Sequence, residues 1–440
     1  MNRTDVAGNP VSGASDMALR AYEKALEELH CYRGDPVATV ESALEGQPDF
    51  VMGHVLHAWL NLLGTEPQGY AVAQADLQRA AELKRNGREQ AHCEAISDFV
   101  RGDWGAAGRR LEDLSIAWPH DALALQAGHL IDFYRGDSRM LRDRLARVLP
   151  AWSEGDPGYH AVIGMYAFGS EETMDYERAE QFGRRALDLE PADAWAHHAV
   201  THVLEMQGRV QEGIAWMRRR EPHWAEDNFF SVHNWWHLAL FHLDEGEVDQ
   251  VLALFDGPIH GDRSRVVLDL VDASALLWRL ELRGIDVRDR WETVAACWRD
   301  TGPPGLYAFN DFHAMMAWIG ADDTSRASQW QAAQAEASTR RTGEQADVSR
   351  TVGEPLLRAI DAFARGDYRA SVDSLRTVRP IVHAFGGSHA QRDLIDLTLI
   401  EAARRAGDDN LARALVAERV AQKPRSQFNR SLERSLAAAG

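Results

Sequence analysis

Ala91-His92-Cys93-Glu94-Ala95-Ile96-Ser97-Asp98-Phe99, followed by Arg101-Gly102-Asp103, reads as one helix running into a corner. Beyond the corner Ala107, Leu111 and Leu114 recur at the spacing of a second helix, and Pro119 closes the unit. Glycine ends the first helix in the left-handed conformation, aspartate caps the second, and proline stops it. The three-residue phrase returns as Arg33-Gly34-Asp35, Arg135-Gly136-Asp137 and Arg365-Gly366-Asp367, and Ala406-Gly407-Asp408 differs from it at one position. From Gly34 through Gly102, Gly136, Gly208 and Gly246 to Gly284 the gaps are 68, 34, 72, 38 and 38 residues, so each long gap is about two short ones. A period in the mid-thirties with one corner per unit is that of stacked helical hairpins. The predicted fold class is all-α, a tetratricopeptide-type α-solenoid, a superhelix of helical hairpins.

The same pattern divides the chain. Residues 1–16, rich in Gly, Asn, Ser and Asp, predict a disordered lead. Residues 17–420 predict the repeat superhelix, and 421–440 a polar capping helix and tail, with a break at Pro424. Gly320 is the next predicted corner after Gly284. The polar residues 322–350 predict an elongated helix pair or an inserted loop.

Composition narrows the partners. The 440 residues carry a net charge of −19, so no net positive field exists to displace counterions from nucleic acid phosphates, and no nucleic acid partner is expected. Arg218-Arg219-Arg220, next to Glu212, Glu221 and Glu226, reads as a solvated helix end. Cys31, Cys93 and Cys297 form no CxxC pair, which fits a reducing compartment. No apolar run is long enough to cross a membrane and the N-terminus has no apolar signal segment, so a cytoplasmic protein is expected. Trp195, Trp216, Trp235, Trp236, Trp278, Trp298 and Trp318 read as filling of the helix–helix seams.

Helix phasing yields the candidate site. With Gly208 at a corner, the first helix of that repeat starts near Ala194, and His198, His202 and Glu205 share one stripe at i, i+4 and i+7. In the repeat cornered at Gly246, His233 and His237 face the same groove from the next helix. These five residues are the predicted catalytic group. Paired histidines with a carboxylate suit either a divalent metal such as zinc, iron or manganese, or acid–base chemistry near neutral pH. His198 and His202 have the spacing of a zincin helix, but Ala199 stands where that motif needs glutamate, so a metalloprotease is rejected. His129, Asp132, Asn234, Trp236, Asp311 and His313 interrupt apolar helices nearby and are the candidate ligand contacts. Asp272, Asp311 and Arg392 also read as inter-helix ion pairs or caps, because a buried charge is costly unless paired.

Several longer phrases carry a resemblance. They include Gly164-Met165-Tyr166-Ala167-Phe168-Gly169, His233-Asn234-Trp235-Trp236-His237, Leu276-Leu277-Trp278-Arg279-Leu280 and Asn310-Asp311 with His313-Ala314-Met315-Met316. Together with Gly128-His129, Asp132-Phe133-Tyr134 and Gln391-Arg392-Asp393, they make residues 20–420 resemble the tetratricopeptide repeat protein 38 family. That resemblance implies an all-helical tetratricopeptide fold and no particular reaction or cofactor. Tetratricopeptide clamps for a C-terminal carboxylate present lysine, asparagine and arginine where this chain has His198, His202, His233 and His237, which argues against a chaperone adaptor.

Two functions remain. One is a small-molecule site lined by histidine and carboxylate, with acid–base or metal-assisted chemistry. The other is a non-catalytic scaffold that takes a protein segment in its concave groove.

Overall fold

The computed structural model describes residues 3–438. Nearly all of them lie in antiparallel helical hairpins, which establishes the all-α, tetratricopeptide-type solenoid. The first hairpin pairs helices Asp16–Cys31 and Pro36–Gly46, and the one read from the opening phrase pairs Gly87–Val100 with Trp104–Ala117. Gly34, Gly102, Gly136, Gly208, Gly246, Gly284, Gly366 and Gly407 all adopt positive φ, between 62° and 85°. The corner residues therefore do what the sequence phrase implies: glycine reverses the chain without a Cβ penalty. Asp137 and Asp367 then cap the following helices through the Met140 and Ala370 amides.

Gly320 is a correction. It ends helix Ala308–Gly320 with no positive φ, and the left-handed residue is Asp322, at φ 57°. Gly320 is small for a packing reason instead, since a Cβ there would overlap the Trp291 indole. The polar residues that follow form the long helix Thr324–Arg340 and a short one, Glu344–Val348, which continues into Glu354–Ala364.

The chain forms two compact units. The first comprises Met1–Val200 and Pro222–Ser231, the second Thr201–Glu221 and Val232–Gly440. In the first unit the expected disordered lead is replaced by a short antiparallel hairpin, Arg3–Thr4 with Pro10–Val11. Polar pairing fixes it: Asp5 accepts from the Asn9 amide at 2.8 Å and lies 3.3 Å from buried Arg88, and Asn86 Nδ2 donates to the Pro10 carbonyl at 3.1 Å. Composition favoured disorder, yet Arg88 and Asn86 lie more than seventy residues from the hairpin residues they hold, beyond what local composition encodes. The N-terminal helices of this unit also meet later ones. Gln126 Nε2 donates to the Leu29 carbonyl at 3.3 Å, and the Phe229 amide to the Tyr32 carbonyl at 2.9 Å.

The second unit likewise closes on itself. Its C-terminal helices, His389–Arg405, Asp409–Gln422 and Gln427–Ala438, return to its own first helices. Lys423 Nζ lies 3.1 Å from Glu205 Oε1, Ser426 Oγ donates to Asp244 at 2.5 Å, and Trp278 Nε1 donates to Thr398 Oγ1 at 3.0 Å. The helix expected to cap an open end thus packs inward, with Asn429 and Leu436 buried. The seven tryptophans read as seam fillers are all buried.

Candidate functional site

Helix Ala194–Met206 begins where the repeat phase put it, and helix Ser231–Glu245 carries the next pair of histidines. In the second unit His202, His233 and His237 come together, each offering a ring nitrogen within 4.8 Å of the others. The His202 and His237 rings are 4.5 Å apart between centroids, and those of His233 and His237 4.8 Å. His202 and His237 are fully buried. A tetrahedral ion bonded at ~2.0–2.1 Å would need such nitrogens roughly 3.3 Å apart.

Carboxylates hold two of the rings from behind. His237 Nδ1 is 3.0 Å from Glu205 Oε2, and His233 Nδ1 is 2.8 Å from Asp272 Oδ2. A carboxylate on Nδ1 fixes the tautomer with its proton there and the lone pair on Nε2, the atom a metal would use. Burial, then the neighbouring His202 ring, holds the His237 pKa well below the usual histidine value, although the Glu205 contact opposes this. His237 is therefore a neutral imidazole at pH 7, the form that binds metal. Burial alone would raise the Glu205 pKa. Lys423, followed by His237, holds it far below the usual range instead. Trp236 stacks on His233, with centroids 5.3 Å apart and planes inclined by 15°.

Glu205 is shared between His237 and Lys423. His198 belongs to the first unit, with its ring 5.1 Å from Phe168 and 5.2 Å from Phe230. His129 and Asp132 lie in that unit too. Asp132 accepts from Arg144 Nε at 2.7 Å and Nη2 at 3.0 Å, so a buried ion pair occupies it rather than a ligand. In the second unit Asp311 accepts from the Gly305 amide at 3.0 Å, and His313 Nδ1 donates to the Phe309 carbonyl at 2.8 Å. Asn234 is fully buried, and neither of its amide atoms has a hydrogen-bond partner. Of the pairs and caps expected, Asp272 pairs with His233, Asp311 caps the Gly305 amide, and Arg392 donates to the Gly386 and Gly387 carbonyls.

A cavity of about 60 Å³ adjoins the histidine group. Glu205 and Lys423 line it, with Arg279, Arg283, Arg419, Asp244 and Asp393. Sequence reasoning missed these cations because 74 or more residues separate them from Glu205. The available signal was Arg279 itself, a charge inside the apolar run Leu276–Leu280.

Hairpins, corners and seams define the class: a helical repeat protein of tetratricopeptide type. No protein-family model matches the chain. Solved structures that it resembles include the human IFIT1 dimer with m7Gppp-AAAA, at 14% identity over 97% of this chain and 95% of that one, with a TM-score of 0.38. Naa15/Naa10 bound to HypK-THB matches at 11% identity over 95% of this chain and 65% of that one, TM-score 0.26. The P58(IPK) TPR domain matches at 13% identity over 89% and 98%, TM-score 0.20. At these identities the likeness concerns the helical-repeat fold alone. Among the described residues no helix is long and apolar enough to cross a membrane.

Proposed function

We propose that the second unit is a divalent-metal site, with His202, His233 and His237 as ligands and Asp272 and Glu205 as their orienting carboxylates. The observation that carries this reading is the pair of Nδ1–carboxylate contacts behind rings whose nitrogens converge within 4.8 Å. His202, His233 and His237 would hold the ion, which would supply Lewis-acid polarisation of a substrate oxygen or activation of water. His202 and His237 are buried and His237 is held neutral, so an ion would relieve the cost of packing these polar rings together in a low-dielectric interior. The reading makes the protein a metal-assisted site for a small molecule, in the cytoplasm, where the buried free thiols of Cys31, Cys93 and Cys297 persist. It also keeps the phrase-level resemblance to the tetratricopeptide repeat protein 38 family.

Among the described residues, no two of the large exposed apolar side chains, from Val6 to Ile381, are neighbours in sequence, which gives a scaffold reading no contiguous apolar segment to rest on. The experiment is elemental analysis of protein purified without a histidine tag, followed by zinc and cobalt titration. About one ion per chain is expected, lost in His202→Ala and His237→Ala. A wild-type protein that carries no metal and takes up neither ion at concentrations on the order of micromolar overturns the proposal.

A further inference from the structure

The cavity beside the histidines has a charge pattern that the metal reading does not use. Its carboxylates are already engaged. Asp393 pairs with Arg419, Glu205 with Lys423 and His237, and Asp244 accepts from Ser426 and the Gln427 amide. Arg279 and Arg283 differ: neither has a carboxylate at ion-pair distance among the described residues. Arg279, 3% exposed, donates to the Ala275 carbonyl at 3.0 Å and the Ala390 carbonyl at 2.7 Å, and its guanidinium lies 5.2 Å from the Trp236 ring. Arg283 donates to the Leu243 carbonyl and stacks 3.6 Å over Phe428. Backbone carbonyls satisfy some of the five N–H donors of each guanidinium but neutralise no charge. Burial lowers both pKa values to about 10, with partial compensation from Asp393 and Glu205 for Arg279 and from Asp244 for Arg283, so both remain cationic at pH 7.

The lining therefore holds four cations against three carboxylates, in a chain of net charge −19. A buried guanidinium without an anion is costly, and Arg presents a planar fork that matches two oxygens of one anion. The volume, about 60 Å³, is roughly that of two liquid waters at ~30 Å³ each, so it suits an anionic head group and not a drug-sized molecule.

We propose that this cavity binds a small oxyanion, a carboxylate or phosphoryl group, through Arg279 and Arg283. Joined to the metal reading, the site takes an anionic substrate and holds its charged group beside the ion. The anion site itself is carried by the arginines and does not require the metal.

The test is isothermal titration and thermal unfolding of the full chain after chelator treatment. Inorganic phosphate and acetate are the probes, with chloride at matched ionic strength as control. One or both oxyanions are expected to bind and raise Tm beyond chloride, and which one does so separates a phosphoryl from a carboxylate ligand. Arg283→Gln is expected to weaken binding roughly tenfold or more with metal content unchanged. Arg279→Gln does the same if it folds, and Arg283→Gln keeps the test open if it does not. The His202→Ala/His237→Ala variant, folded and metal-free, still binds the oxyanion. Wild-type protein with no response beyond chloride overturns the proposal, as does equal binding by wild type and Arg283→Gln. Loss of binding in the double histidine variant also overturns it, since the anion would then rest on the metal ligands.

Discussion

Asp272→Asn probes the metal centre most cleanly. Asp272 is 2% exposed and its Oδ2 sits 2.8 Å from His233 Nδ1, so it sets that ring's tautomer and orientation. Asparagine keeps the shape and an acceptor oxygen for the Nδ1 proton, and removes only the charge. Loss of such a partner costs about 10–100-fold in metal affinity, and retention of the hydrogen bond places this variant near tenfold, or about 1.4 kcal/mol. The assay is cobalt titration followed by its visible absorption, with zinc as competitor, alongside thermal unfolding of the metal-free forms. The expected result is a weaker cobalt and zinc Kd with little change in metal-free Tm. Affinities that stay within about twofold of wild type would refute the reasoning, because Asp272 would then be only a packing partner. Glu205→Gln is a poorer probe. It also strips the ion pair from Lys423, and breaking a buried pair costs about 3–5 kcal/mol in stability by itself.

Three further outcomes are expected. Gly366→Ala and Gly320→Ala separate two uses of glycine. The first meets no atom within 4 Å but must hold φ near +79°, at about 1 kcal/mol, whereas the second collides with Trp291, at about 1–3 kcal/mol; urea unfolding ranks them, and equal cost would count against the packing argument. Arg144→Met leaves Asp132 buried without its partner and should destabilise by about 3–5 kcal/mol, with Arg144→Met/Asp132→Leu recovering much of the loss in the same assay. Burial pushes the Asp311 pKa from 3.8 up to about 7, against the Gly305 amide contact. Between those values the folded chain keeps a proton that the unfolded chain has lost, so this group's contribution to stability falls as pH rises from about 3.8 to 7. Asp311→Asn should flatten that part of the stability profile, by up to about 4 kcal/mol across the window, and an unchanged profile would show that Asp311 is not its source.

The repeat itself was legible because hairpin geometry is local. A glycine in the left-handed region, an aspartate cap and an apolar stripe at helical spacing act within a few residues of one another, and each leaves a mark in sequence. Helix phase followed directly, so the stripe His202–Glu205 and the pair His233–His237 could be placed on facing helices before any coordinates. Gly320 shows the limit of that logic. Its smallness serves Trp291, twenty-nine residues earlier, and looks in sequence like another corner.

What the tertiary structure alone decided is which charges meet. Asp272 reached His233, Lys423 reached Glu205, and Arg279 and Arg283 were left lining a cavity with no carboxylate at ion-pair distance from either among the described residues, because the last helices of the second unit fold back on its first. The N-terminal hairpin, tied to Arg88 and Asn86, took its order from the same kind of distant contact. Electrostatic partnership depends on distance in space and on burial, and a one-dimensional pattern with a period near thirty-five residues records neither.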